Sequence, residues 1–279
     1  MTGSDLSAVT EIPPLAKLLG PGRPLVMGIL NITPDSFSDG GAFLDPDVAI
    51  RHARRMVDDG ADLIDVGAES TRPYGDAIAV PAEEERRRLD RVLPAIVRLG
   101  VPVSIDTMKA PVARWALDAG ASIANDVWGL QRDPALAGLI AERGVPVIVM
   151  HNRERADPTL DIMADIKAFF ARSLDIAGRA GIRRDAIVLD PGMGFGKTPE
   201  QSMTAIARLG ELKSFGQPLL VGASRKRFIN QLTPSPPDRR LGGSIAAHVL
   251  AVLNGAAIIR AHDVAETVQA LRVLTAIRP

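Results

Sequence analysis

Short apolar runs alternate with longer amphipathic ones along almost the whole chain, and nearly every apolar run ends on a polar residue. Leu25–Leu30, Ala61–Val66, Pro102–Ile105, Ala121–Ala124, Val145–Val149, Ala186–Leu189, Pro218–Val221 and Ala256–Ile259 read as short strands. Helical spacing fills the intervals: Asp47–Asp59 with Asp45 as its cap, Ala82–Leu99, Ala110–Ala119, Pro134–Arg143, Leu160–Ala180, Pro199–Lys213, Leu241–Leu253 and Val264–Ile277. The strands are apolar on both parities, as parallel strands covered on both faces must be. Eight strand-then-helix units predict an α/β fold, a (β/α)8 TIM barrel. The pattern reads as a single domain over residues 25–279 after an irregular, Pro- and Gly-punctuated lead-in over residues 1–24. An open doubly wound sheet is the alternative, but it gathers ligands at one switch point. Here polar residues follow strand after strand, where a barrel collects its active site.

The chain has 279 residues, 46% of them hydrophobic and 24% charged, with 33 Lys+Arg against 33 Asp+Glu. That balance gives no general field for nucleic acid or an anionic membrane, so any anion site must be local. Cysteine is absent, which excludes disulfides, thiolate metal sites and a cysteine nucleophile, and suits a reducing compartment. No run reaches the roughly 18–20 apolar residues of a membrane span, and no signal-peptide core is present. The expectation is a soluble cytoplasmic protein.

The first strand opens into the loop Asn31-Ile32-Thr33-Pro34-Asp35-Ser36-Phe37-Ser38-Asp39-Gly40-Gly41, a mixture richer than a connection needs. Asp106, Asn125 and Asp190 follow three other strands. Two acids and an amide in a barrel mouth are costly to desolvate without partners. Together they suit a flat heterocycle with N–H donors and a carbonyl. Arg260 and His262 alternate outward from the last strand and make a small anion pocket. Ser224-Arg225-Lys226-Arg227 adds positive charge, with Lys226 in reach of the mouth. Phe195, among glycines in Gly192–Thr198, offers a ring face to a planar ligand. The segment lacks Walker spacing, and no zinc or Ser-His-Asp pattern is present. These residues suggest displacement of a phosphate leaving group from a heterocyclic substrate. His52 and His248 read as packed or surface histidines, and His151 is ambiguous.

Gly28–Asn31 with Thr33–Gly41, Asp65-Val66-Gly67 with Glu69–Pro73, Ser104–Thr107, Asn125-Asp126, Met150-His151, Asp190–Thr198, Ser224–Phe228, and Arg260 with His262-Asp263 resemble, in this order, the dihydropteroate synthase family of pterin-binding barrels. The resemblance implies a transferase of folate biosynthesis, a target of sulfonamides. It would join (7,8-dihydropterin-6-yl)methyl diphosphate to 4-aminobenzoate by early loss of diphosphate. It implies that Asp106, Asn125, Met150, Asp190 and Lys226 hold the pterin. Asn31, Thr71, Arg72, Arg260 and His262 would hold the diphosphate, with Asn31 also contacting Mg2+. Phe37, Thr71, Pro73, Phe195 and Lys226 would form the 4-aminobenzoate pocket. Asp39, Lys226, Arg260 and His262 would act in catalysis, Asp39 beside the developing cation. It also implies a homodimer, through late helices such as Leu241–Leu253 or Val264–Ile277.

Four places depart from the family pattern: Tyr74 between Pro73 and Gly75, Ala68-Glu69 for a second glycine, Trp128, and Gln201-Ser202. Two competing functions share the barrel. A methyltransferase using a methyl-folate would need neither the anion pocket nor the long first loop. A non-catalytic paralogue would have lost Asn31, Lys226, Arg260 or His262.

Overall fold

The computed structural model describes residues 15–20, 22–33, 45–69 and 80–277. Its strands are β1 (Leu25–Asn31), β2 (Leu63–Gly67), β3 (Val103–Asp106), β4 (Ile123–Asp126), β5 (Val147–Met150), β6 (Ile187–Asp190), β7 (Leu219–Val221) and β8 (Ala256–Ala261). Each pairs in parallel with the next, and β8 returns to β1, with Met27 opposite Arg260, to close the barrel. The (β/α)8 expectation holds.

Side-chain alternation divides the strands between two cores. Leu25, Met27, Leu63, Ile123, Ile148, Val188, Leu220 and Ile258 fill the barrel interior, and Leu15 joins them. The intervening residues, among them Val26, Ile64, Ile105, Val149, Leu189 and Ile259, pack against the helices. Two residues further along, the interior parity reaches Asp65, Asn125, Met150, Asp190 and Arg260 in turn. The apolar plug therefore sits at the N-terminal end and the chemistry at the C-terminal end.

The helices are α1 (Leu15–Leu18), α2 (Pro46–Asp58), α3 (Ala82–Leu89), α4 (Leu93–Val97), α5 (Ala110–Asp118), α6 (Pro134–Arg143), α7 (Ile162–Ala180), α8 (Pro199–Ala207), α9 (Arg227–Leu232), α10 (Leu241–Leu253) and α11 (Val264–Ile277). Asp45 caps α2 as expected, accepting from the Asp47 amide at 2.9 Å. The single helix expected over Ala82–Leu99 is two, because Pro94 cannot sit one turn after Asp90 without a clash and a lost hydrogen bond. The helix expected over Pro199–Lys213 ends at Ala207 and continues as a 3-10 stretch, Leu209–Phe215. Helix α9 is short and begins inside the basic run, which hid it. Leu15–Leu18 forms a helical turn where an irregular lead-in was expected, with Leu15 seated in the barrel floor. Asp106, Asn125, Met150, Asp190 and Arg260 belong to the strands themselves rather than to the loops after them. Among the described residues, no helix is long and apolar enough to cross a membrane.

Candidate active site

All eight strands run the same way, so Asn31, Asp106, Asn125, Met150, Asp190 and Arg260 lie at one end of the barrel. The register sets neighbours: Asn31 and Asp106 each pair with Gly67, Asp106 with Asn125, and Met150 with Asp190. At Gly67 a Cβ would stand 3.2 Å from that of Asp106, so glycine lets the two strands carry Asp106 without crowding.

Arg260 lies across this mouth. Its Nε donates to Asp65 Oδ2 at 2.7 Å and its Nη2 to Asp106 Oδ2 at 3.1 Å. Asn125 Nδ2 donates to both oxygens of Asp65 at 3.2 and 3.1 Å. The second oxygen of Asp106, Oδ1, is buried without a hydrogen-bond partner. Burial, then the neighbouring charge of Asp65, pushes the Asp106 carboxyl up to about 8 against the pull of Arg260. Asp190 accepts from the Gly192 amide at 2.7 Å. Burial raises it to about 6, opposed by that amide and by Lys226 and Arg260. A mouth with raised carboxyls and an unsatisfied acceptor is built for a ligand that brings its own donors.

Lys226 stands 4.4 Å from the centre of the Phe195 ring. The loop that carries it is pinned from outside: Arg225, in the left-handed region at φ 58°, donates its amide to Ser244 Oγ at 2.9 Å and pairs its guanidinium with Asp263. His262 is fixed by Ser224, whose Oγ accepts from the His262 amide at 3.2 Å and meets Nδ1 at 3.0 Å. Arg260 thus engages two carboxylates at once. Asn31 is half-buried at the end of β1. Phe37, Asp39, Thr71, Arg72 and Pro73, together with Tyr74, lie outside the described residues.

Two features of the site were given no role from the sequence. Asp65 is fully buried and joins Arg260 to Asn125. Its signal was parity: it lies two residues after Leu63, a barrel-interior position. Lys197 and His151 form a second buried group, with Lys197 Nζ 2.6 Å from His151 Nδ1 and His151 Nε2 2.9 Å from Asp165. His248 is buried midway along α10, as its reading anticipated. Two of the departures from the family pattern have structural work. Gln201 completes a capping box with Thr198, and Ser202 Oγ accepts from the Gly194 amide at 3.1 Å. Trp128 carries the Arg132 guanidinium 4.4 Å above its ring.

The profile of the "Pterin binding enzyme" family matches residues 27–262. Dihydropteroate synthase of Bacillus subtilis is 43% identical over 258 residues, covering 91% of this chain and 88% of its own. The crystal structure of the Clostridium difficile dihydropteroate synthase in the presence of pteroic acid superposes with a TM-score of 0.87 at 47% identity, covering 92% of this chain and 97% of that one. The Xanthomonas albilineans dihydropteroate synthase with 4-aminobenzoic acid gives 0.87 at 44%, covering 92% and 93%. The chain belongs to the pterin-binding enzyme family. Within it, its activity is dihydropteroate synthesis, a transferase step of folate biosynthesis.

Proposed function

We propose that the barrel mouth grips (7,8-dihydropterin-6-yl)methyl diphosphate by its flat ring while a cationic side draws off the diphosphate, and that 4-aminobenzoate then takes the methylene carbon. The observation that carries this reading is the inward set of Asp106, Asn125 and Asp190, with Asp106 Oδ1 buried and unpaired. A pterin edge supplies the missing N–H donor, and Met150 beside Asp190 packs against the ring. Lys226 lies over Phe195 and within electrostatic reach of Asp190, so it serves both substrates. Arg260 and His262 hold the diphosphate with Asn31, Thr71 and Arg72. Phe37, Thr71, Pro73, Phe195 and Lys226 wall the 4-aminobenzoate.

In the reaction, the C–O bond between methylene and diphosphate breaks, and its electron pair leaves with the diphosphate. Ring nitrogens delocalise the cation, so departure runs ahead of attack. Arg260 and His262 stabilise the leaving charge, and Asp39 the cation. The aromatic amine then forms the C–N bond and loses a proton. Keeping water out of the mouth protects the cation. Asn31 offers an amide oxygen at a strand end, the hard donor that Mg2+ takes beside water and substrate phosphate. Asn31 would hold Mg2+ through that amide oxygen. When bound, the ion would neutralise leaving-group charge.

Exposed Leu250 and Leu253 on α10 and Val273 and Ile277 on α11 support a homodimer through these helices; light scattering on the purified chain reads its mass. A chain without cysteine suits work in the cytoplasm. The test of function is diphosphate release from the pterin diphosphate, with and without 4-aminobenzoate. Release accompanied by dihydropteroate is expected. No release in either condition would defeat the reading.

A further inference from the structure

Lys197 is 2% exposed and takes no part in the substrate contacts above. Burial lowers it to about 7, so its place there is costly. Replacing buried ionic groups with apolar ones of similar volume is often neutral or stabilising. Stability alone is therefore a weak reason for a lysine here.

Its contacts point to placement. Lys197 Nζ donates to the Phe195 carbonyl at 3.1 Å and to His151 Nδ1 at 2.6 Å. The Asp165 carboxylate only accepts, so His151 gives it the Nε2 proton across 2.9 Å and accepts from Lys197 at Nδ1. Burial, then the charge of Lys197, lowers His151 to about 4, which keeps it neutral in that tautomer. Arg153 closes the far side of Asp165 at 2.9 Å. The chain runs from the backbone of Phe195 to an open cavity of about 530 Å3 lined by Asp165, Arg153 and Phe169.

The loop carrying Phe195 is pressed onto the same segment. A Cβ on Gly192 would lie 2.1 Å from the His151 carbonyl oxygen, and one on Gly196 2.4 Å from that of Arg153. Both glycines are left-handed, at φ 65° and 55°. Backbone packing thus fixes both flanks of Phe195, and Lys197 fixes its carbonyl. The ring meets Lys226, whose Nζ is 4.4 Å from its centre.

We propose that Lys197 and His151 are positioning residues: they hold the Phe195 ring at the height where it and Lys226 form a ready wall for the aromatic amine. This rests on the placement of 4-aminobenzoate against Phe195 given above. The experiment uses the full chain with Lys197→Met, His151→Leu and His151→Asn. The last keeps an acceptor close to the position of Nδ1. Each is assayed for kcat, for KM of both substrates, and for hydrogen exchange over residues 191–198. Lys197→Met and His151→Leu should raise KM for 4-aminobenzoate about tenfold, which is about 1.4 kcal/mol. KM for the pterin diphosphate should stay within about twofold, and the loop amides should exchange faster. His151→Asn should recover most of the loss. If Lys197→Met does not fold, the two His151 variants decide the matter. Unchanged loop exchange, a loosened loop with unchanged KM for 4-aminobenzoate, or equal loss for both substrates would each overturn the proposal. A wild-type chain that releases no diphosphate defeats the functional reading instead, and exchange over the loop still judges the positioning.

Discussion

Asp65 and Arg260 meet inside the barrel, one from each strand flanking β1, with Arg260 Nε 2.7 Å from Asp65 Oδ2. The same fully buried carboxylate takes the amide of Asn125. One side chain thus fixes a ring-binding amide and a cationic guanidinium relative to each other. Arg260 also reaches Asp106, so Asp65, Asn125, Asp106 and Arg260 form one polar network that leaves Asp106 Oδ1 without a partner.

Asp65→Ala leaves Arg260 buried with one partner lost and Asn125 without an acceptor. Removing one member of a buried ion pair costs about 3–5 kcal/mol. Chemical denaturation should show a loss of that order, and affinity for both the pterin and inorganic diphosphate should fall. Wild-type stability in Asp65→Ala would show that the pair holds nothing together.

Asp106 makes a proton prediction. Its carboxyl is raised to about 8 by burial and by Asp65, so below that pH the empty site holds the proton. A pterin donating N–H to this carboxylate favours the ionised form. The empty site then binds more protons than the filled one, so binding should release a proton and affinity should rise with pH toward about 8. Folding has the opposite sign: stability from this group is full below its ordinary value of 3.8 and is lost as pH rises through about 8. Titration calorimetry in two buffers of different ionisation heat measures the released proton. Asp106→Asn should abolish the part due to this group; the same release in wild type and variant would rule Asp106 out as its source.

The barrel was legible because nearly every strand is an apolar run closed by a polar residue, and eight such runs leave few other architectures. Asp106, Asn125, Asp190 and Arg260 were legible for the same reason, standing where an apolar pattern stops. Asp65 was not, because it lies within Leu63–Gly67 and is followed by Val66, so it does not mark an end. Lys197 and His151 were not, because they are 46 residues apart and only the fold brings them to 2.6 Å. The break at Pro94 was written plainly in the sequence but was outweighed by the amphipathic spacing of Ala82–Leu99.

A second buried charge cluster lies at the edge of the barrel. Lys109 Nζ donates to Glu69 at 2.6 Å and to Glu85 at 2.7 Å, and Glu85 on α3 is fully buried with one oxygen unpaired. Burial raises the Glu85 carboxyl against these bonds. Lys109→Met strands Glu85, and a loss of about 3–5 kcal/mol is expected in urea. Lys109→Met with Glu85→Leu removes both charges and should recover most of it. A double variant as unstable as the single would mean that Lys109 acts through packing rather than charge.

Ser224 should matter to His262 without touching substrate. Its Oγ accepts from the His262 amide at 3.2 Å, so its own proton is available to Nδ1 at 3.0 Å. That assignment leaves the imidazole proton on Nε2, where it can donate to a phosphate oxygen. Ser224→Ala removes the constraint on both tautomer and ring angle. The expected result is about a tenfold fall in kcat/KM for the pterin diphosphate, about 1.4 kcal/mol, with KM for 4-aminobenzoate unchanged. Affinity for inorganic diphosphate, measured directly, should fall in parallel. If diphosphate binds Ser224→Ala as tightly as wild type, His262 does not depend on Ser224 for its orientation.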